Sequence, residues 1–201
     1  MDTLDKYLIV GLGNPGSAYN HTRHNVGFQI VRSFAEKCGG VFKNASHLIS
    51  DVAQVSVHEK KALLLLPMTF MNSSGDAVRR CVDYYKVPLD HVIVVCDDVA
   101  LPLGTMRMRS KGSCGGHNGL SSVETHLNTE FYARLRIGVG APGHENLADY
   151  VLGRFTQEES KIIEGIEAEA QEVLKLWMTA GIAIAMQTAN RKVSKEGENN
   201  G

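Results

Sequence analysis

The sequence predicts a single α/β domain. Three observations carry that expectation. At 201 residues, the chain suits one domain better than two. Short apolar runs alternate along it with amphipathic segments of helical period. No internal repeat divides it, and no linker is long enough to do so. The hydrophobic fraction of 43% is enough for an ordinary globular core.

The elements follow in order. Leu8-Ile9-Val10 reads as a buried strand, and Val26, Ile30, Val31, Phe34 and Ala35 mark the inner face of a helix. "VAQVSV" and "ALLLLP", on either side of the polar "HEKK", read as an antiparallel hairpin. "SSGDAVRRCVDYYK" repeats apolar residues at Ala77, Val78, Cys81, Val82 and Tyr85, a helix whose Ser73-x-x-Asp76 start predicts a capping box. "HVIVVCDD" is a strand ending in two carboxylates, "TMRMRSK" an alternating strand, "HNGLSSVETHL" a helix and "ARLRIGVG" another strand. Thr156-x-x-Glu159 predicts a second capping box. It opens a helix with Ile162, Ile163, Ile166, Val173, Leu174 and Trp177 on one face and acids on the other, read as a solvated surface. The domain spans 1–190, and the polar end, 191–201, is read as a disordered tail.

Charge and composition exclude several function classes. A net charge of -1 leaves no overall electrostatic footprint for nucleic acid, only room for a local patch. Cys38, Cys81, Cys96 and Cys114 form no C-x-x-C pair, which predicts a reduced, intracellular protein. The acidic start of "MDTLDKYLIV" is unlike a signal peptide, and no apolar run approaches the ~20 residues of a membrane span, so the expected location is the cytoplasm.

"GLGNPG" satisfies the G-x-G-x-x-G pattern of dinucleotide-binding turns. A true fingerprint needs its third glycine inside the first turn of a helix. Here Gly16 is followed by "SAYNHTRHN", and helical periodicity starts only at Val26. The glycines instead permit a compact turn around Asn14 and Pro15, opening a long polar loop up to Asn25. No nicotinamide or flavin cofactor is implied.

Three segments share a strand, polar loop and helix design. They carry Asn14 and His24, then Asn72, then Asp97 and Asp98, and a fourth helix entrance offers His117 and Asn118. If the strands run parallel, these side chains gather at one carboxyl edge, where open α/β sheets bind ligands. A His–Asp pair is a general-base device, because the carboxylate orients the imidazole. Asparagine amides can donate to a developing oxyanion. These parts suit attack by water on an activated acyl group, and "GSCGG" lacks the serine elbow pattern.

Each assignment has a structural competitor. Asn14, Asn72 and Asn118 are residue types that often cap helices, and Asp97 can do the same. His24 can be an ordinary surface histidine. His21-x-x-His24 lacks a third ligand at a recognised metal spacing, and Cys114 near His117 reads more simply as an inert thiol than as a nucleophile pair. Phe70, Met68 and Met71 suit a core as well as a substrate platform. Between Leu103 and Gly140, Arg107, Arg109, Lys111, Arg134 and Arg136 outnumber Glu124 and Glu130. That two-strand basic patch fits a phosphate clamp or a solvated sheet edge.

"VGLGNPG", "TRHNVG", "TFMNSSG", "LPLG" and "GGHNGL", in this order, closely resemble bacterial-type peptidyl-tRNA hydrolases over Tyr7 to about Arg191. The resemblance implies a three-layer α/β/α sandwich around a twisted mixed sheet. It also implies a monomer acting without metal or cofactor, which hydrolyses the ester of peptidyl-tRNA and recycles tRNA from abortive translation. His24 then matches the catalytic histidine and Asp97 its carboxylate partner. Asn14, Asn72 and Asn118 match amides lining the substrate channel, Tyr19, Phe70 and Met71 flank it, and Gly115 and Gly116 form its glycine wall. Arg107, Arg109 and Arg136 fall where the family meets tRNA phosphates, at the acceptor stem and 3′ end. The segment 146–155 resembles a helical lid. Ala100, Cys114 and Ala141 depart from the usual pattern without removing a catalytic group. The competing expectation within the family is a non-catalytic RNA-binding member of the splicing-factor type.

Overall fold

In the computed structural model, which describes residues 6–191, seven strands form one sheet in the order β2-β3-β4-β1-β5-β7-β6. These are β1 (Lys6–Gly11), β2 (Lys43–Ala45), β3 (Ser50–Val57), β4 (Lys60–Pro67), β5 (Val92–Asp98), β6 (Met106–Arg109) and β7 (Ala133–Gly138). The central β4, β1, β5 and β7 run parallel, and antiparallel pairs close both flanks, so the sheet is mixed. The hairpin turn is shorter than "HEKK": β4 takes in both lysines and leaves only His58 and Glu59 between the strands.

The apolar runs of the central strands are continuous because both faces are covered. On one face Ile9, Leu64, Ile93, Val95, Leu135 and Ile137 pack against α1 (Val26–Lys37), α5 (Gln157–Ala180) and α6 (Ile182–Ala189). On the other, Leu8, Val10, Leu65, Val94 and Cys96 pack against α2 (Ser74–Tyr85) and α3 (Asn118–Leu127). A short helix, α4 (Leu147–Leu152), lies between β7 and α5. This is the expected three-layer sandwich.

Several local expectations change. The Thr156–Glu159 box forms in both directions, whereas Ser73 makes no capping bond and Asp76 pairs with Arg80 instead. The shorter aspartate is satisfied along the helix surface, an i,i+4 pairing. Helix α6 carries no polar–apolar alternation that the sequence reading picked out. Its end is anchored by Asn190, whose amide brackets the Met108 backbone of the edge strand β6. Asn190 thus caps α6, Arg191 follows it, and the rest of the expected tail lies outside the described residues.

Glycines serve the core at one decisive crossing. A Cβ on Gly11 would meet the Gly27 carbonyl at 2.5 Å, and one on Gly27 would meet the Val95 carbonyl at 2.3 Å. The first turn of α1 therefore sits directly on β1 and β5. Close helix–strand packing is supplied by Gly27, far beyond the "GLGNPG" run, which leads into an isolated 3-10 turn at Ser17–Tyr19.

Candidate active site

Strands β4, β1 and β5 do pair in parallel, the condition on which the expected gathering rested, and this brings their carboxyl ends together. The chain leaves β1 into the loop that carries Asn14, and a second 3-10 turn, Arg23–Asn25, delivers His24 just before α1. All four residues of "TRHN" are buried, and each has a distinct contact. The Thr22 hydroxyl donates to the Tyr19 carbonyl. Asn25 brackets the Asn14 backbone, accepting its N–H at 2.8 Å and donating to its carbonyl at 3.0 Å. The remaining two bear on the chemistry.

His24 Nδ1 lies 2.8 Å from an Asp97 carboxylate oxygen. His117 Nε2 lies 3.0 Å from the same oxygen. Burial alone would raise the Asp97 carboxyl, but the two imidazoles outweigh it and hold the group well below the usual carboxylate range. An ionised carboxylate only accepts, so His24 donates through Nδ1, and its Nε2 has no protein partner among the described residues. His117 is oriented from its other side, because its Nδ1 accepts from the Gly119 and Leu120 N–H groups and so caps α3. This histidine is a neutral donor with both nitrogens engaged. It cannot serve as a base for Cys114.

These three residues also place ligand-type atoms within 4.8 Å of one another. Their chemistry suits two protons better than a cation. The single lone pair of neutral His117 is already taken by two backbone N–H groups, so its Nε2 carries hydrogen and offers a metal nothing.

None of the three asparagines is the N-cap residue of the turn or helix its own segment enters. Asn14, 7% exposed, uses its Oδ1 to accept the Met71 N–H at 2.8 Å. That donor fixes the amide's orientation, so Nδ2 is the atom left over, and it has no protein partner among the described residues. Asn72 and Asn118 are exposed, and among the described residues the only side-chain bond of Asn72 is a long one of 3.5 Å from Ser73.

Asn14, His24, Asn72, Asp97 and Asn118 all line one cavity of about 580 Å³. Phe70, Met71, Gly115 and Gly116 line it too, and α4 adds Leu147, Val151 and Leu152. Tyr19 does not reach the cavity. It stands edge-on to Phe70, with ring centroids 6.3 Å apart, and braces that 60% exposed ring. Gly115 and Gly116 have φ of +58° and +80°, backbone that a side chain would strain.

The expected basic patch is divided by the fold. Arg134 is 1% exposed, paired with Glu124 and bonded to surrounding carbonyls, so it is no part of a surface clamp. Arg136 lines the cavity, pairs with Asp98 at 3.2 Å and donates to the Ser113 and Cys114 carbonyls, tying the glycine wall to β5. Arg107 and Arg109 stand opposite these two on β6 and have no acidic partner among the described residues.

Two positioning contacts were not legible in the sequence. His117 appeared there as a polar residue at a helix entrance and as a neighbour of Cys114, with no link to Asp97. Arg23 was quoted without a role. Its guanidinium lies 4.3 Å from the Tyr150 ring centroid, pairs with Glu159 at 3.0 Å and donates to the Arg154 carbonyl. Glu159 is disfavoured as an anion by burial, but the Thr156 N–H and Arg23 hold it below the usual range. The loop carrying His24 is thereby joined to the end of α4 and the start of α5.

A carboxylate-bound imidazole and an oriented amide, lining one cavity at the carboxyl edge of the parallel strands of an α/β sheet, are groups of the kind hydrolytic enzymes use. Comparison with known proteins narrows this class. The peptidyl-tRNA hydrolase family model matches residues 8–197. A curated peptidyl-tRNA hydrolase of Caldanaerobacter subterraneus is 45% identical over 185 residues, covering 92% of this chain and 99% of that protein. One from Parabacteroides distasonis is 43% identical over 188 residues, covering 93% and 100%. The crystal structure of peptidyl-tRNA hydrolase from Acinetobacter baumannii superposes with a TM-score of 0.88 at 34% identity, covering 94% of this chain and 97% of that one. The chain belongs to the peptidyl-tRNA hydrolase family.

Proposed function

We propose that this protein hydrolyses the ester joining a peptide to the 3′ end of tRNA, with His24 as the base. One observation carries the reading: ionised Asp97 accepts from His24 Nδ1, leaving Nε2 as the free ring nitrogen of a residue that lines the cavity. Nε2 takes a proton from water as the water oxygen attacks the ester carbonyl. The Asn14 amide donates to the oxyanion that forms. The tetrahedral intermediate then collapses, the carbon–oxygen bond to the ribose breaks, and imidazolium returns the proton to the leaving ribose oxygen.

The cavity also accounts for selectivity. Both of its carboxylates are committed, Asp97 to two imidazoles and Asp98 to Arg136. A free α-ammonium therefore meets no unpaired negative charge there. Neutral amides at Asn72 and Asn118 can hydrogen-bond a peptide backbone irrespective of side chain, while Phe70, Leu147 and Val151 offer apolar contact. Helix α4 acts as a lid over this channel. Arg107 and Arg109 meet phosphates of the acceptor stem, and Arg136 supports the channel wall from the same strand pair. The protein works as a monomer in the cytoplasm; among the described residues no helix is long and apolar enough to cross a membrane. A non-catalytic RNA binder has no use for a buried carboxylate held ionised by two imidazoles.

The test is release of N-acetyl-amino acid from N-acetyl-aminoacyl-tRNA, with EDTA present. Wild type should turn over rapidly and His24→Ala should lose about 10²–10⁴-fold. A His24→Ala enzyme within tenfold of wild type overturns the mechanism, and loss of wild-type activity in EDTA points to a metal.

A further inference from the structure

Resting on that reading, we propose that Lys111 and Phe131 form a second RNA contact, remote from the cavity, that holds the acceptor arm of tRNA. Phe131 is 64% exposed, and the Lys111 ammonium lies 4.9 Å from its ring centroid. An aromatic ring this exposed contributes little to the core, and pairing it with a cation makes a surface suited to ribose, base face and phosphate together.

The pair is held by a scaffold that spans the distance to the active site. Beneath it, the buried Arg134 donates to the Gly112 and Ser113 carbonyls on the Lys111 side and to the Glu130 and Tyr132 carbonyls on the Phe131 side. One guanidinium thus fixes the backbone next to both residues. Two positions along β7, Arg136 fixes the far end of the same loop at Ser113 and Cys114 and joins it to Asp98. The segment 112–116 therefore runs as a braced strip from this platform to the glycine wall of the cavity. Ile137 stands in register with Asp97, and Phe131 precedes it by six residues, so the platform lies roughly 20 Å from the catalytic pair at strand spacing.

The sheet explains why the β6 edge of this face is open. On β6 and β7, Met106, Met108, Leu135 and Ile137 pack under α5 and α6, while Arg107, Arg109, Arg134 and Arg136 alternate to the other face. The α2–α3 layer packs on residues of β1, β4 and β5 there. Arg107 and Arg109 lie about 6.6 Å apart along β6, and Lys111 follows two residues later in the bend that ends the strand. A row of cations ending on an exposed ring matches a polyanion with sugar and base surfaces, and RNA is the polymer this family acts on. A substrate whose 3′ end enters the cavity carries its stem across this edge.

The experiment compares two substrates: full-length N-acetyl-aminoacyl-tRNA, and the same N-acetyl-aminoacyl ester on a CCA trinucleotide too short to reach the platform. Phe131→Ala and Lys111→Ala should each lower kcat/KM on the full-length substrate about fivefold, through KM. The loss should disappear on the trinucleotide, and Phe131→Trp should restore the full-length rate. Lys111→Ala should also flatten the slope of log KM against log salt by roughly 0.7–0.9, while Phe131→Ala leaves the slope unchanged. Equal losses on both substrates, or no loss on either, overturn the proposal. A wild type that cleaves neither substrate instead overturns the hydrolase reading on which it rests.

Discussion

Replacing Asn14 by aspartate separates the amide's two functions. Its Oδ1 satisfies the buried Met71 N–H, the first of the 3-10 turn that leads into α2. Its Nδ2 is the donor left for substrate. Asn14→Asp keeps the acceptor and the shape, and places a carboxylate at the positive end of that helical segment, so stability should stay within about 1 kcal/mol of wild type. It replaces the donor by a second acceptor. Losing one oxyanion donor costs about 2.7–4 kcal/mol of transition-state stabilisation, a fall in kcat of about 10²–10³-fold. Asn14→Ala should lose activity to a similar degree but also leave the Met71 N–H unpaired, costing about 1–3 kcal/mol of stability. For a chain of this size each kcal/mol moves Tm by about 2–4 °C. The assay is kcat on N-acetyl-aminoacyl-tRNA beside thermal melts of both variants. An Asn14→Asp enzyme that melts like wild type and turns over within tenfold of it refutes the assignment of the oxyanion donor.

Other outcomes follow from the same contacts. Asp97 is held ionised more firmly in the fold than in the unfolded chain, where aspartates titrate near 3.9. Its contribution is complete above that range and drains away as pH falls toward the lowered folded value, so the stability gap between wild type and Asp97→Asn should narrow in urea titrations from about pH 5 downward. A gap that widens on acidification contradicts this. Arg23→Met keeps the stem but drops the Glu159 pair and the carbonyl bonds of α4, and should cost about 2–4 kcal/mol while lowering kcat. Melts and kinetics unchanged from wild type would show that the loop and α4 are not coupled. Arg107→Ala and Arg109→Ala should each reduce the salt dependence of KM by roughly 0.7–0.9 in slope, whereas Arg136→Ala should lower kcat, because its guanidinium is tied to Asp98 and the glycine wall.

The comparison of sequence with structure is instructive residue by residue. Strands such as "HVIVVCDD" and the α5 capping box were legible because they depend on neighbours a few positions away. The gathering of Asn14, His24, Asn72, Asp97 and Asn118 was legible once parallel strands were assumed, since parallel pairing brings carboxyl ends to one edge. Asn14 looked more like a cap than a channel residue, and its Oδ1 does satisfy the first N–H of a 3-10 turn; only that bond, made to the distant Met71, shows that Nδ2 is the atom left over. The basic patch was overcounted because Arg134 and Arg136 alternate in sequence just as Arg107 and Arg109 do. Strand periodicity assigns a face, and carries no information about the Glu124 and Asp98 that occupy two of the four guanidinium groups.

The sequence by itself determined the alternation of strands and helices, the fact that "GLGNPG" opens no α-helix, and the set of polar residues at the carboxyl edge. These follow from periodicity and from the turn chemistry of glycine, asparagine and proline, which act locally. The tertiary structure alone decided which atoms of those residues are free. His24 meets Asp97 across 73 positions and Asn14 meets Met71 across 57, and each contact occupies one polar atom and leaves its partner atom for chemistry. A residue's identity sets how many protons and lone pairs it has. Only the folded neighbours determine which of them remain unpaired.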